Sequence, residues 1–237
     1  MYNRLKCVNE AFSTVDYSNG GFLKGSKTAD NIFILQGLIQ RQLCYGKPLF
    51  VCFVDFSKAF DLVNRNILFY KLIKCGWHGR VIDTLRSLYA KTSIRIKRNN
   101  QVSSPFPNTI GVNQGGINSG LLFRKYLSDL SSYLNHECGI CIGGDILLHM
   151  LWADDLILVS ETASGLQKQL NALQVFCKHN YMSANESKTK FVVFGKHKPV
   201  AISYDRKEIE QVQHYKYLVV LINATATINS DIFKLTN

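Results

Sequence analysis

Acidic residues are scarce in this 237-residue chain: 17 Asp and Glu stand against 28 Lys and Arg, a formal net charge of +11. The shortage is uneven. Residues 1–110 hold 16 basic and 6 acidic side chains, and residues 111–237 hold 12 and 11. Long hydrophobic runs are missing too. No stretch approaches the roughly 18 unbroken apolar residues of a membrane-spanning helix, and the richest, Ile146 to Val159, is broken by Asp154 and Asp155. The first residues, Met1-Tyr2-Asn3-Arg4-Leu5-Lys6, lack the apolar block of a secretory signal. There is no internal repeat and no low-complexity tract. The 7 cysteines are odd in number. Cys138 and Cys141 form one CxxC without a second Cys or His pair at finger spacing, which argues against a tetrahedral zinc site. Reduced thiols in the cytosol or nucleus are the expectation, with no membrane association.

Hydrophobic residues make up 46% and charged residues 19%, enough to bury a core and to exclude general disorder. The length suits one large domain or one and a half. A basic front half on a folded chain points to an anionic partner, nucleic acid foremost.

Periodicity predicts a helix over 29–43, with Ile32, Leu35, Ile39 and Leu43 on one face. Gly46-Lys47-Pro48 breaks the chain, and Leu49 to Phe53 reads as a strand buried on both faces. Helices follow at 66–75 and 80–90. Ser93 to Lys97 alternates Ile94 and Ile96 with Arg95 and Lys97, as a half-exposed strand does, and Asn99-Asn100 is a turn signal. A helix is expected over 119–134. Ile146 to Leu151 and Leu156 to Val159 form a hairpin around Trp152-Ala153-Asp154-Asp155. A helix over 164–180 and strands at 191–194 and 217–221 complete an α+β pattern with a mostly antiparallel sheet.

The few acids are placed informatively. Asp55 ends the buried strand, and Asp154 with Asp155 occupies a hairpin tip. Three carboxylates at one sheet edge repel one another unless divalent cations neutralise them. Magnesium suits hard oxygen ligands and leaves positions open for substrate phosphates. Two such ions, about 3.5–4 Å apart, activate a 3′-hydroxyl and stabilise a leaving pyrophosphate. The bland alternative for Asp-Asp by itself is a solvated turn.

Phe53-Val54-Asp55-Phe56-Ser57-Lys58-Ala59-Phe60-Asp61, followed by Val63-Asn64-Arg65, resembles the first catalytic motif of reverse transcriptases, especially those of LINE-type (non-LTR) retrotransposons. Leu151 to Leu156 resembles their aromatic-Ala-Asp-Asp box. Gly111-Val112-Asn113-Gln114-Gly115-Gly116, with Leu121-Leu122-Phe123 after it, is similar to their Gln-Gly motif. Gly21-Phe22-Leu23-Lys24-Gly25 resembles an upstream fingers motif. Asn185 to Lys190 is similar to a lysine-bearing motif, and Tyr215-Lys216-Tyr217-Leu218 to the primer-grip region. The six motifs follow the family's order over roughly residues 1 to 222.

The resemblance implies a right-hand polymerase palm with an antiparallel sheet, partial helical fingers and the start of a thumb. Residues 1–50 and 62–110 would be fingers-like, 51–61 and 111–200 palm, and 201–237 the palm and thumb base, in a single incomplete domain. Asp55, Asp154 and Asp155 would hold two Mg2+ ions, or Mn2+ in their place, assisted by the Phe56 carbonyl. Phe60 matches the steric gate against a ribose 2′-hydroxyl; its alternative is a core aromatic. Gln114 and Gly115 would meet nucleotide or template, Lys24 phosphate or template, and Lys188 or Lys190 would act as general acid to pyrophosphate. Arg65, Arg95, Lys97 and Arg98 read as phosphate contacts or as a solvated face. RNA template, DNA primer and deoxynucleotides are the implied partners.

The sequence also departs from the family pattern. Gly116-Ile117-Asn118-Ser119-Gly120 lacks the prolines that usually pre-set the following helix. Arg124 replaces the usual Asn, Trp152 the usual Tyr or Phe, and Val219 the usual Gly. An earlier fingers segment and most of a thumb are not seen, which suggests a fragment. Two further readings follow: a catalytically dead remnant that at most binds nucleic acid, and a nucleotide cyclase prompted by Gly143-Gly144-Asp145, a tripeptide that also suits a hairpin turn.

Overall fold

The computed structural model describes residues 20–21, 25–113, 115–116, 118–224 and 233–235. They form two compact units, one spanning Lys58–Leu127 and the other Tyr17–Ser57 with Ser128–Asn237. Among the described residues no helix is long and apolar enough to cross a membrane.

The second unit is built on a six-stranded sheet. Its strands are β1 (Leu49–Asp55), β8 (His149–Trp152), β9 (Asp155–Ser160), β10 (Lys190–Phe194), β11 (Ile202–Tyr204) and β12 (Lys207–Gln211), in the order β11-β12-β10-β1-β9-β8. β1 lies between two antiparallel neighbours, and the β10–β12 pair is parallel. Leu49 to Val54 are all buried, because both faces of β1 are covered. Leu49, Val51 and Phe53 share a core with Leu35, Leu38 and Ile39 of helix α1 (Thr28–Cys44). A later helix, Ala163–His179, packs on β1, β9 and β11. It begins at Thr162, whose hydroxyl accepts from the Gly165 N–H at 3.0 Å, and Lys178 and His179 favour its negative C-terminal end. A separate sheet of β13 (His214–Tyr217), β14 (Val220–Asn223) and β15 (Phe233–Leu235) adds Tyr217 and Ile222 to the core of α1.

The first unit holds α2 (Arg65–Lys74), α3 (Arg80–Ala90) and α4 (Ser119–Tyr126). Asn64 caps α2, its side chain accepting from Asn66 and Ile67. Between α3 and α4 runs a two-stranded ribbon made of β2 (Ser93–Ile94), β3 (Lys97–Arg98), β4 (Gln101–Val102) and β5 (Phe106–Pro107). Its turn is Asn99-Asn100, as the sequence predicted, and both residues take positive φ.

Four expectations are corrected. The strand expected at 93–97 is interrupted: Ile94 pairs with Phe106 and Lys97 with Val102, so the returning strand carries one extra residue. Pro105 lies in that bulge, where it cannot donate to a ladder. The helix expected over 119–134 ends at Tyr126, whose carbonyl accepts from Lys71 Nζ at 2.6 Å, and only a short 3-10 turn at Leu130–Ser132 follows. The run 146–151 is divided between two sheets. β7 (Asp145–Leu147) pairs with β6 (Ile140–Ile142) around the Gly143-Gly144 turn, and β8 pairs with β9. The strand expected at 217–221 is instead a hairpin that turns at Leu218-Val219, with Leu218 at φ +54°.

Candidate active site

β1 delivers Asp55 to the end of the central strand, directly opposite Asp155 at the start of β9. Side chains alternate along a strand, so Asp55 shares the face of Phe53 and Val51. Directly opposed residues point the same way, which sets Asp155 beside Asp55 on that face. Asp154 precedes it in the tight turn from Trp152 to Asp155, where Ala153 takes φ +58°. Gly20 supports this hairpin: its N–H donates to Leu151 O at 3.0 Å, and a Cβ there would stand 3.1 Å from the Trp152 ring.

The approach of these charges has an electrostatic consequence. The Asp155 carboxyl is pushed up to about 6, first by desolvation and then by the negative charges of Asp154 and Asp55. Its own atoms reach solvent at the sheet edge, but the crowded strand ends around it displace much of the bulk water. Lys188 supplies the nearby cation, with Nζ 3.9 Å from Asp55 Oδ2. The loop carrying Lys188 is tied to the backbone of Asp55. Asn185 N–H donates to Asp55 O at 2.6 Å, and Asp55 N–H donates to the buried Thr189 hydroxyl at 3.3 Å. Phe56, buried and bridged to Ala184, continues this attachment.

The sequence likened Tyr215-Lys216-Tyr217-Leu218 to a primer grip but did not give its tyrosines' partners. Tyr215 lies flat on Phe53, with ring centroids 4.2 Å apart and planes 10° from parallel. Burial, then the charges of Asp155 and Asp55, push its hydroxyl up to about 12. The Tyr217 hydroxyl accepts from Asn31 Nδ2 at 3.2 Å, and the same amide donates to Leu151 O at 3.1 Å. Asn31 thereby links α1 to the strand that bears the hairpin. The sequence signal for Tyr215 was its primer-grip-like motif; Asn31 offered none.

Phe60 and Gly115 belong to the other unit. Phe60 is half-buried and stacks on Phe123, centroids 4.4 Å apart. It is therefore neither fully enclosed nor free. Gly115 is exposed in its loop at φ +76°. Lys24 and Gln114 lie outside the described residues. Arg95, Lys97 and Arg98 are exposed along the ribbon. Arg65 corrects expectation. It is buried, 7% exposed, and its guanidinium is engaged by neutral oxygens of its own unit, so it is not a solvated phosphate contact.

Among the described residues no three His, Cys, Asp or Glu side chains are grouped so as to hold a metal ion. The donor set at the hairpin is nonetheless all carboxylate, with two members in direct register. That fits a hard divalent cation whose shell is completed by water and phosphate oxygens. A cation bound there would relieve the crowding of like charge.

The sequence profile of the family described as reverse transcriptase (RNA-dependent DNA polymerase) matches residues 1–222. Among curated proteins, the chain is 24% identical over 228 residues to the Pol polyprotein of the type-1 retrotransposable element R2 of Nasonia vitripennis, covering 90% of this chain and 22% of that protein. It is 28% identical over 151 residues to the Pol polyprotein of the type-2 element R2DM of Drosophila melanogaster, covering 64% and 14%. The chain thus spans less than a quarter of the length of these relatives. Among solved structures, apo telomerase from Candida tropicalis superposes with a TM-score of 0.64 at 14% identity, over 98% of this chain and 40% of that one. At such identity the likeness is one of fold.

Proposed function

Because the chain belongs to the reverse transcriptase family, with its similarity running to Pol proteins of non-LTR retrotransposable elements, we propose that it is the polymerase region that copies RNA into DNA. The observation that carries this reading is the Asp55–Asp155 register pair with Asp154 at the adjoining hairpin tip. In the proposed division, residues 1–50 and 62–110 are fingers-like, 51–61 and 111–200 palm, and 201–237 palm and thumb base, with the six-stranded sheet belonging mainly to the palm.

The reaction joins the primer 3′-oxygen to the α-phosphorus of a deoxynucleoside triphosphate and breaks the α–β phosphoanhydride bond, releasing pyrophosphate. The family works with divalent cations; when bound, two Mg2+ ions, or Mn2+ in their place, would lower the pKa of the 3′-hydroxyl and stabilise the leaving charge. Asp55, Asp154 and Asp155 would hold them, helped by the Phe56 carbonyl. Lys188, tethered through the 185–189 loop to Asp55, would protonate the departing pyrophosphate. The ring of Phe60 would exclude a ribose 2′-hydroxyl. Gln114 and Gly115 would line the nucleotide or template, and Lys24 would meet phosphate.

Primer extension on an RNA template tests this reading. The chain should extend a DNA primer with magnesium, and Asp154→Asn should abolish extension. Equal incorporation by both proteins would rule the assignment out.

A further inference from the structure

Arg65 opens α2 with a side chain withdrawn from water, and most of its donors converge on one loop. Nε donates to Gly111 O at 2.8 Å, and Nη2 to Ile110 O at 2.9 Å. Nη1 reaches Asn108 O at 2.7 Å, Thr92 Oγ1 at 2.9 Å and Tyr89 O at 3.0 Å. Its face lies over the Tyr89 ring, 4.8 Å from the centroid. No carboxylate is among these partners. Three of the carbonyls, at 108, 110 and 111, belong to the segment leading into Val112-Asn113-Gln114-Gly115. Holding several carbonyls at fixed angles is work for a planar fork of five donors. A lysine offers three donors from a single point.

The opposite edge of that segment grips Phe60. Gly111 N–H donates to Val63 O at 2.8 Å, and Val112 N–H donates to Phe60 O at 2.9 Å. The two backbones are in such close approach that a Cβ on Gly111, at φ +79°, would stand 2.6 Å from Asp61 O. No side chain cushions this contact, so a displacement of Gly111 passes straight to the 60–63 backbone. The Phe60 ring is supported from its side by Phe123.

We propose that Arg65 is a positioning residue for sugar selection: by pinning Asn108, Ile110 and Gly111 it fixes Phe60 against a nucleotide's 2′-position. The proposal deepens the polymerase reading and rests on it, and on Phe60 as the gate. Arg65 touches no substrate; it acts through Gly111 and Val112.

The test is the ratio of kcat/KM for a deoxynucleotide to that for the matching ribonucleotide, measured in primer extension by the 237-residue chain. Wild type, Arg65→Lys, Thr92→Val and Phe60→Ala are compared, with thermal unfolding recorded for each. Folded Arg65→Lys should lose roughly ten- to a hundredfold of the ratio, the scale on which small misplacements act. Most of that change should appear as faster ribonucleotide use. Thr92→Val, which removes one of Arg65's five partners, should move the ratio the same way by less, and carries the comparison if Arg65→Lys does not fold. An unchanged ratio in a folded variant, with Phe60→Ala lowering it, would overturn the proposal and leave the polymerase reading intact. An unchanged ratio in Phe60→Ala would remove the gate, and the proposal with it. Absence of extension by wild type would instead refute the polymerase reading.

Discussion

Asp55 and Asp155 are direct cross-strand partners at the ends of β1 and β9. Like charges so placed destabilise a sheet. The fold tolerates them because Leu49 to Val54 are buried on both faces and both β1 edges are paired, which leaves the strand end no alternative position. In the proposed polymerase, function and stability would oppose each other at this pair.

Asp155 has a folded pKa of about 6 against an ordinary 3.8. A carboxyl raised in this way favours the folded state while protonated, and that contribution is lost as pH rises from about 4 through about 6. Without divalent cations, Asp155→Asn should melt higher than wild type at pH 7.5, and the difference should shrink by pH 4. Added magnesium should raise the wild-type midpoint more than that of the variant. Melting curves over this range, with and without chelator, check it; a variant less stable than wild type at pH 7.5 would contradict it.

Tyr215 separates ring from hydroxyl. Tyr215→Phe keeps the stack on Phe53 and should change stability by less than about 1 kcal/mol. Tyr215→Ala removes both the stack and its buried area, and should cost about 2–3 kcal/mol. Urea denaturation of the two variants distinguishes these outcomes.

Lys188 should matter to rate and not to folding. Its side chain is 68% exposed and its nitrogen is 3.9 Å from Asp55, an ion pair of at most about 0.5 kcal/mol. Proton donation to a leaving group is typically a factor of about 10² or more. Lys188→Gln should thus melt within a degree or two of wild type while extending primers about a hundredfold more slowly. Single-turnover incorporation measures the rate, and a wild-type rate would exclude the general-acid role.

Ala153 holds φ +58° beside the acids. That conformation costs a non-glycine residue about 1–2 kcal/mol, against about 0.4–1 kcal/mol of added unfolded-chain entropy for glycine. Ala153→Gly should therefore be about 0.5–1 kcal/mol more stable by denaturant titration, while the looser turn lowers the extension rate.

Much of the site was legible because its signals are local. A buried apolar strand ending in Asp55, a hairpin-spaced Asp154-Asp155 and apolar spacing in the helices at 28–44, 80–90 and 163–179 depend on residues a few positions apart. Residue order thus determined the α+β class, the identities of the acids and the order of the motifs. It did not determine where long side chains end. Arg65 looked like a phosphate contact or part of a solvated face because an arginine after a catalytic motif carries no local sign of burial. Its partners lie 24 to 46 residues away and are mostly backbone carbonyls, which have no sequence signature. The division of 146–151 between two sheets and the stacking of Tyr215 on Phe53 were likewise decided by tertiary packing. Pairing partners and ring contacts are set by which surfaces the folded chain brings together, and only the assembled sheet gave Asp155 its opposed neighbour.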